Sequence, residues 1–439
     1  MPHANAPMLT GFRVLDITQI VAGPTCTRIL AEMGAEVVKL ELAPFGDRTR
    51  VGGLRSQRPE YKRCSQSTYF VQHNHSKKSL ALNLKHDRAR ELILRMIPQF
   101  DVLVENFSPG VIERFGLGYD VLKTINPRLV MCSISLAGQN GALANKPGYD
   151  YVAQAYAGVT DLIGEADGSP ALITMAIGDA STGVAAAMAV GFALLHRERT
   201  GEGQYIETSL LDTYFNMHEV ALPRVSLRKG YQPVRTGSQH PDGGPTGIFR
   251  CGDGTYLTLA TLPHQWESFA AALGRDDLLT DPRFATAALR RDNNAALKEI
   301  LEAWLAGFSS RDAAIAALEA KRIPCAPVLT LPEAMAHPHL RDRGVVRTVR
   351  DRYLGEFQIP GPPARFSAWE YAGSLKADLL GEHNEQILRD MAGLSDAEID
   401  ALYAEGVLVR DRLLETGADA SHCAARASQD EPAGAAGPR

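Results

Sequence analysis

Strand-like and helix-like segments alternate through the first third of this chain, and that alternation constrains the fold more than any other feature. Residues 12–17, FRVLDI, read as a strand. Gly23-Pro24 opens a helix that runs through Met33, and Gly34 stops it. Residues 36–41 are the next strand. A helix from about 87 to 99 precedes a strand at 102–104, and 129–135 reads as a further one. Strands alternating with helices imply a parallel sheet with helices on its faces, joined by right-handed connections. No GxGxxG follows the first strand, so the usual dinucleotide fingerprint is absent. The expected class is α/β, with a Rossmann-like parallel sheet in a large domain, residues 1–224.

After Asp212 the texture changes. The turn-rich run GSQHPDGGP (237–245) leads into a strand near 247–250. Asp253-Gly254 then reads as a hairpin turn before 256–259. Helical stretches follow at about 264–273, 293–307 and 310–320. Residues 225–330 are therefore expected to form a smaller α+β domain. Residues 331–415 read as a C-terminal segment that returns to the large domain. From 416 to 439 the chain is Ala, Ser, Gly and Pro with scattered charge, the composition of a disordered tail.

The formal net charge of −5 over 439 residues argues against a general nucleic-acid or membrane-surface role. The cysteines at 26, 64, 132, 251, 325 and 423 form no CxxC pair and no metal-ligand spacing. Reduced thiols, a cytoplasmic setting and no metal site are the expectation. The opening residues carry no basic-then-apolar leader pattern. The apolar run 183–195 is too short to span a bilayer and reads as a buried helix.

One position stands out chemically. Asp179 precedes that apolar run, in IGDASTG (177–183), and Ser181 or Thr182 is a natural N-cap. A carboxylate at a helix mouth feels the positive end of the dipole and free backbone N–H groups, which favour its charged form. Asp179 reads either as an ordinary helix-start acid or as a directed nucleophile, since carboxylates can attack acyl groups.

Several segments, in order, resemble the family III CoA-transferases of the CaiB/BaiF type. They include VLDITQIVAGPTCTRILAEMGAEVVKLE (14–41), GDRTR (46–50), YFVQHNHSKKSLALNLK (69–85) and ENFSPGVIERFGLGYDVLKTINPRLV (105–130). They continue with PGYDYVAQAYAG (147–158), IGDASTGVAAAMAVGFALLHRERTGEGQYIETSLLD (177–212), DGGPTGIFRCGDG (242–254), IPCAPV (323–328) and LGEHNEQIL (380–388). The resemblance implies an α/β domain plus a smaller domain in an interlocked homodimer. It also implies that coenzyme A is a substrate rather than a resident cofactor, exchanged between an acyl-CoA and a carboxylic acid.

By that resemblance Asp179 is the nucleophile. Attack on the thioester would give a mixed anhydride and then an aspartyl-CoA thioester. Tyr69, Tyr149 and Gln154 would line the acyl pocket, although either tyrosine could equally be a core aromatic. Gly243 and Gly244 match a mobile glycine-rich cover, or are simply a domain-crossing turn. Asn106, Arg114, Lys77, Lys78 and Leu82 match the CoA-binding side, with Arg114 near the diphosphate. For the three cations the alternative is a solvated surface charge.

Two departures from formyl-CoA transferases bear on the substrate. Their glutamine before Ala-Gly-Pro is Val21 here, and their arginine after the second strand is Leu42, with Arg48 or Arg50 available to compensate. Both put oxalate or formate in doubt. The 2-methylacyl-CoA racemases of the same family carry a histidine where this chain has Tyr149. Tyrosine titrates near 10, far from a useful general base, so transferase is favoured over racemase. A catalytically inactive CoA-binding protein is the reading from another class.

Overall fold

The computed structural model describes residues 7–62, 64–371 and 373–415, and the tail expected at 416–439 lies outside them. The chain divides into two compact units, one of 1–157, 174–218 and 343–439, the other of 158–173 and 219–342. The second unit is therefore not one continuous span. It begins at 219 rather than 225, takes in the earlier excursion 158–173, and hands the chain back at Arg343 rather than at 331.

The first unit is built on a parallel sheet of six strands: β1 (Arg13–Ile17), β2 (Glu36–Leu42), β3 (Lys78–Leu82), β4 (Val102–Glu105), β5 (Val130–Ser135) and β6 (Tyr205–Ser209). Their order is β3-β2-β1-β4-β5-β6, and every neighbouring pair is parallel. β1 to β5 are buried almost throughout because helices cover both faces. The helices that matter below are α1 (Ala22–Glu32), α2 (Thr68–Asn74), α3 (Asp87–Met96), α4 (Val111–Arg114), α5 (Asp150–Tyr156), α6 (Ile177–Thr200) and α7 (Leu210–Asn216). A core of Leu15, Leu40, Leu80, Ile93, Leu103 and Met131 is completed by Ile387, Leu388 and Leu402 from the C-terminal segment. That segment is tied to β3 by main-chain bonds from Asn83 to Val407 and from Val409 to Ala81.

The order β3-β2-β1-β4 fixes where a ligand can enter. The chain leaves β1 toward one side of the sheet and β4 toward the other, so the loops after them part and leave a crevice at the carboxyl edge. α1 starts beside that crevice and ends at the opposite edge, just before β2.

Charge is buried beneath α1. Asp16 on β1 accepts from Lys77 Nζ at 2.9 Å, Thr27 Oγ1 at 2.7 Å and the Thr18 backbone N–H at 2.9 Å. Lys39 Nζ bonds the Thr18 carbonyl at 2.9 Å and pairs with Asp47 at 3.0 Å. Burial alone would raise the Asp16 carboxyl, but Lys39, Lys77 and the two threonine hydroxyls outweigh it and hold it at about 2. Arg50 is likewise enclosed, bonded to both Glu41 oxygens at 2.6 Å with its guanidinium 3.6 Å above the Phe70 ring.

α6 has 24 residues and is long and apolar enough, by length and composition, to cross a membrane. It is longer than the apolar run suggested, because its first turn begins at Ile177 and its last is polar. One face, with Gly183, Ala186, Ala187 and Val190, is buried and packs on α1. Gly183 is required there, since a Cβ would sit 2.5 Å from the Ala22 carbonyl oxygen.

In the second unit β7 (Thr246–Arg250), β8 (Tyr256–Ala260) and β9 (Cys325–Pro327) form an antiparallel sheet, with the expected hairpin turn between β7 and β8. Helices Trp266–Leu273, Asn294–Leu305 and Arg311–Glu319 cover it around Phe249, Leu257, Phe269 and Leu301.

Removing one member of a buried ion pair leaves an uncompensated charge, which costs about 3–5 kcal/mol, whereas an exposed pair is worth about 0–1 kcal/mol. Urea unfolding at pH 7 should therefore show a large loss for Lys77→Met and little for Lys78→Met, whose ammonium is partly exposed and paired with Glu36. Equal losses would contradict the placement of the two lysines.

Candidate active site

The crevice at the carboxyl edge is a cavity of about 330 Å³. Its walls come from the loop after β1 (Gln19 to Ala22), the loop after β4 (Asn106 to Pro109), the end of β5 and the approach to α5 (Lys146 to Tyr149). Asp179 and Arg48 line it as well.

The β1 loop is held from three sides. Asn106 clamps Gln19 through both ends of its amide, accepting from the Gln19 N–H and donating to the Gln19 carbonyl, each at 2.8 Å. Ile20 has φ +73°, a left-handed conformation costly for a β-branched residue, and its N–H bonds Asp47 at 3.2 Å. The Lys39–Thr18 bond fixes the residue before them.

Asp179 sits in the first turn of α6, not before it. The N-cap is Ala176, which has no capping side chain. Ser181 and Thr182 lie one turn inside: Ser181 bonds back to the Ile177 carbonyl at 2.5 Å, and Thr182 is buried. The missing cap is supplied by other helices. The Asp179 N–H bonds Asp150 Oδ2 at 2.9 Å, and the Gly178 N–H bonds the Tyr214 hydroxyl at 3.1 Å. That hydroxyl donates to Asp150 Oδ1 at 2.5 Å and accepts from Gln154 Nε2 at 3.2 Å. Only glycine fits at 178, because a Cβ would meet the Tyr214 ring at 2.1 Å.

This arrangement reverses the expected charge state. The helix-end N–H groups already donate to Asp150 and Tyr214, so they are not free for the Asp179 carboxylate. Burial, with Asp150 adding to it, pushes the Asp179 carboxyl up to about 7 from 3.8.

The other expected site residues divide. Tyr149 lines the cavity and is exposed. Tyr69 stacks edge-on against His73 beside Gly52 and Gly53, and burial followed by the Asp179 charge pushes its hydroxyl above the usual tyrosine range. Asn106 lines the cavity through the clamp on Gln19. Arg114 ends α4 on the surface, just past the 106–109 wall.

The remaining expected residues do not line this cavity. Gln154 is fully buried behind the wall, in the cap network with Tyr214. Leu82 is a core residue whose side chain is sealed under the C-terminal segment. Lys77 is enclosed, with Asp16, Thr27, Asn74 and the Pro24 carbonyl around its ammonium. Lys78 opens β3 and pairs with Glu36, the first residue of β2, at the edge where strands begin. Gly243 and Gly244 belong to the second unit and line a cavity there with His240 and Arg290.

Arg48 and Arg50 are told apart by burial. Arg50 is committed to Glu41, and Arg48 faces the cavity. Lys146 and Asp150 were not singled out as site residues from sequence. The Gly-Tyr-Asp step at 148–150 was the available signal, since an acid opening a short helix is often a cap.

A carboxyl raised from 3.8 to about 7 is destabilising when ionised. The sign follows from linkage: the native state binds the extra proton, so stability is full below pH 3.8 and falls as pH rises to about 7. Asp179→Asn should accordingly raise the melting temperature at pH 8 and leave it unchanged near pH 4, the ceiling of the effect being about 4 kcal/mol. A variant equally stabilised at both pH values would show that the carboxyl is not strained by its surroundings.

Residues 9–384 match CoA-transferase family III. The chain is 35% identical over 420 residues to formyl-CoA:oxalate CoA-transferase of Streptomyces coelicolor, covering 92% of this chain and 100% of that protein. It is 35% identical over 394 residues to succinyl-CoA:mesaconate CoA-transferase of Haloarcula hispanica, covering 88% and 96% respectively. The crystal structure of a CaiB/BaiF family protein from Brucella suis superposes with a TM-score of 0.74 at 32% identity, over 88% of this chain and 100% of that one. A family match over 9–384, relatives at 35% identity and an α/β fold on a six-stranded parallel sheet that superposes on a CaiB/BaiF protein lead to one conclusion: the chain belongs to CoA-transferase family III.

Proposed function

We propose that this protein moves coenzyme A from an acyl-CoA thioester to a carboxylic acid, with Asp179 as the covalent relay. The observation that carries the reading is a single half-buried carboxylate in the cavity at the sheet's switch point, with Arg48 and Lys146 in the same wall. The ionised Asp179 oxygen attacks the thioester carbonyl and CoA thiolate leaves, giving a mixed anhydride. The thiolate attacks the aspartyl carbonyl and releases the donor acid, leaving an aspartyl-CoA thioester. The acceptor carboxylate attacks that thioester, and the steps run in reverse. A thiolate departs without a general acid, so one carboxylate suffices. A raised pKa suits the role, because a more basic carboxylate is a stronger nucleophile once ionised, and at about 7 a large fraction is ionised at neutral pH.

A cavity of about 330 Å³ holds an acyl group and part of the pantetheine arm, not a whole CoA. The nucleotide end must therefore lie outside it, toward surface cations such as Arg114. The acids named for the relatives, oxalate and mesaconate, carry two carboxylates. Arg48 gives this chain a cation for a second carboxylate, which supports a dicarboxylic acid as one partner in the exchange. The free cysteines of the described residues, most of them buried, support a cytoplasmic setting, which cell fractionation tests.

Asp179→Ala should lower transfer by roughly a thousandfold or more. Hydroxylamine trapping with acyl-CoA should modify Asp179 alone, as read by mass spectrometry. The same reaction in D₂O with a chiral 2-methylacyl-CoA should place no deuterium at the α-carbon. Near-normal turnover of the variant ends the covalent reading. Asp179-dependent exchange without transfer to any acid turns the assignment to the racemase branch. Arg114→Ala should weaken CoA by about 1.5–3 kcal/mol, the range for bonds to charged groups, and weaken a nucleotide-free thioester less.

The homodimer belongs to the same reading. Val184, Met188, Phe192 and Leu195 form one exposed apolar stripe along α6, with Phe192 64% exposed. Spacing of three and four residues puts them on a single helix face, and such a stripe on a soluble enzyme marks a protein interface. Sedimentation should show a dimer at micromolar concentration that Phe192→Glu weakens or dissociates. A wild-type monomer at that concentration rules the stripe out as a dimer contact.

A further inference from the structure

A second cleft of about 270 Å³ lies at the other end of α1. It shares no residue with the Asp179 cavity. α1 has 11 residues, so at 1.5 Å per residue the two openings stand roughly 16 Å apart along it. The lining includes Met33, just past the end of α1, together with Arg343, Arg347, Arg365, Trp369 and Tyr371. Glu370 is the one acidic residue among those lining it.

Arg347 joins this cleft to a buried cluster with excess positive charge. Glu32 is buried at the end of α1, and its Oε1 lies 2.6 Å from Arg347 Nη2, 3.2 Å from Arg28 Nη1 and 3.3 Å from His75 Nε2. One carboxylate thus faces two guanidiniums. Burial, and then Arg28 and Arg347, hold His75 well below the usual histidine range, so it stays neutral and the cluster keeps a net positive charge. Arg347 is fixed by Glu32 and by the Pro360 carbonyl, yet its Nε and Nη1 are buried with no hydrogen-bond partner. Buried donors on a charged group that lack acceptors are costly. Arg343 and Arg365 add two more cations at the rim, joined by a bond from Arg365 to the Arg343 carbonyl.

The remaining wall is aromatic and apolar. The Trp369 and Tyr371 rings stand 6.1 Å apart at 71°. Tyr371 is locked in place by bonds to Ser76 Oγ at 2.5 Å and to the Ser374 carbonyl at 2.9 Å. A preset aromatic wall beside guanidiniums recognises a planar ring that carries an anionic group.

We propose that this cleft is a second ligand site, binding a compact planar ring that bears a carboxylate or a phosphate, with the anionic group on Arg347 and Arg365 and the ring on Trp369. Two kinds of molecule carry that chemistry, an aromatic carboxylate and a nucleotide, and benzoate and AMP serve as their probes. The proposal does not depend on the activity assigned to Asp179.

The test is titration of the full chain with benzoate, AMP and inorganic phosphate, followed by calorimetry and by tryptophan fluorescence. At least one of the two ring-bearing probes should bind, quench Trp369 and outcompete phosphate. Arg365→Ala and Trp369→Leu should each weaken that binding roughly tenfold or more, a loss of about 1.4 kcal/mol. Arg48→Ala, which alters the other cavity, should leave it unchanged and so separates this site from AMP entering the Asp179 cavity. Binding by benzoate alone assigns the aromatic-acid class, and by AMP alone the nucleotide class. Far-UV circular dichroism checks each variant, and Arg343→Ala replaces any that fails to fold. Absence of binding by both probes at millimolar concentration overturns the proposal, as does binding that Arg48→Ala abolishes and the cleft variants leave intact.

Discussion

The buried carboxylate of Asp16 is the contact on which the working edge of this enzyme depends. It lies on β1 three residues before Gln19, where the crevice loop begins, and it takes the Thr18 N–H, the Thr27 hydroxyl and the Lys77 ammonium. A charge enclosed this way is costly unless every partner is present. The network is correspondingly closed: Lys39 bridges Asp47 and the Thr18 carbonyl, and Asp47 in turn accepts from Ile20. Thr18 and Ile20 are thereby fixed by ions, and Gln19 between them by the Asn106 amide, rather than by a strand or a helix. That accounts for how a β-branched residue keeps a left-handed backbone in the cavity wall. Such strain persists only where the surroundings over-determine it.

The second constraint is the start of α6. A helix leaves its first N–H groups unpaired, and an acid in the first turn is usually stabilised by them. Here Asp150 and Tyr214 take two of those donors from outside the helix. The helix gains its cap, and Asp179 is left half-buried beside a second carboxylate. Burial, and then the charge of the capping Asp150, raise the Asp179 carboxyl to about 7. Capping and chemistry are one arrangement, and Gly178 is the residue that lets the Tyr214 ring come close enough.

Much of the fold was legible because it rests on short-range pattern. The β/α alternation over 12–135 and the hairpin around Asp253-Gly254 depend on local periodicity and turn chemistry, and the strands fall where those signals put them. The order of strands in the sheet was not written in any one segment, nor was the inclusion of 158–173 in the second unit, since both depend on long-range packing. The start of α6 was misplaced because Ser181 and Thr182 are good caps in isolation, while the real cap comes from Asp150, 29 residues earlier. Asp179 lines the cavity all the same, because its place in the first turn of α6 does not depend on which residue caps the helix.

The lysines show why composition alone cannot assign an anion site. Lys77, Lys78, Arg48 and Arg50 look alike in sequence, each a cation beside a strand or turn. Parallel topology separates them. Every loop that follows a strand emerges at one edge of the sheet, where the cavity is; Lys78 opens β3 and pairs with Glu36 at the other edge. Register then decides between neighbours: Lys77 turns inward to Asp16, and Arg50 turns inward to Glu41 two residues after Arg48 faces the cavity. A cation whose nitrogens are all bonded inside the protein, as those of Lys77 and Arg50 are, contributes to stability and has little left to offer a substrate. Arg48 and Lys146 are the cations in the cavity wall, and in the transfer reaction proposed for this protein selectivity rests on them together with the fixed backbone of the β1 loop.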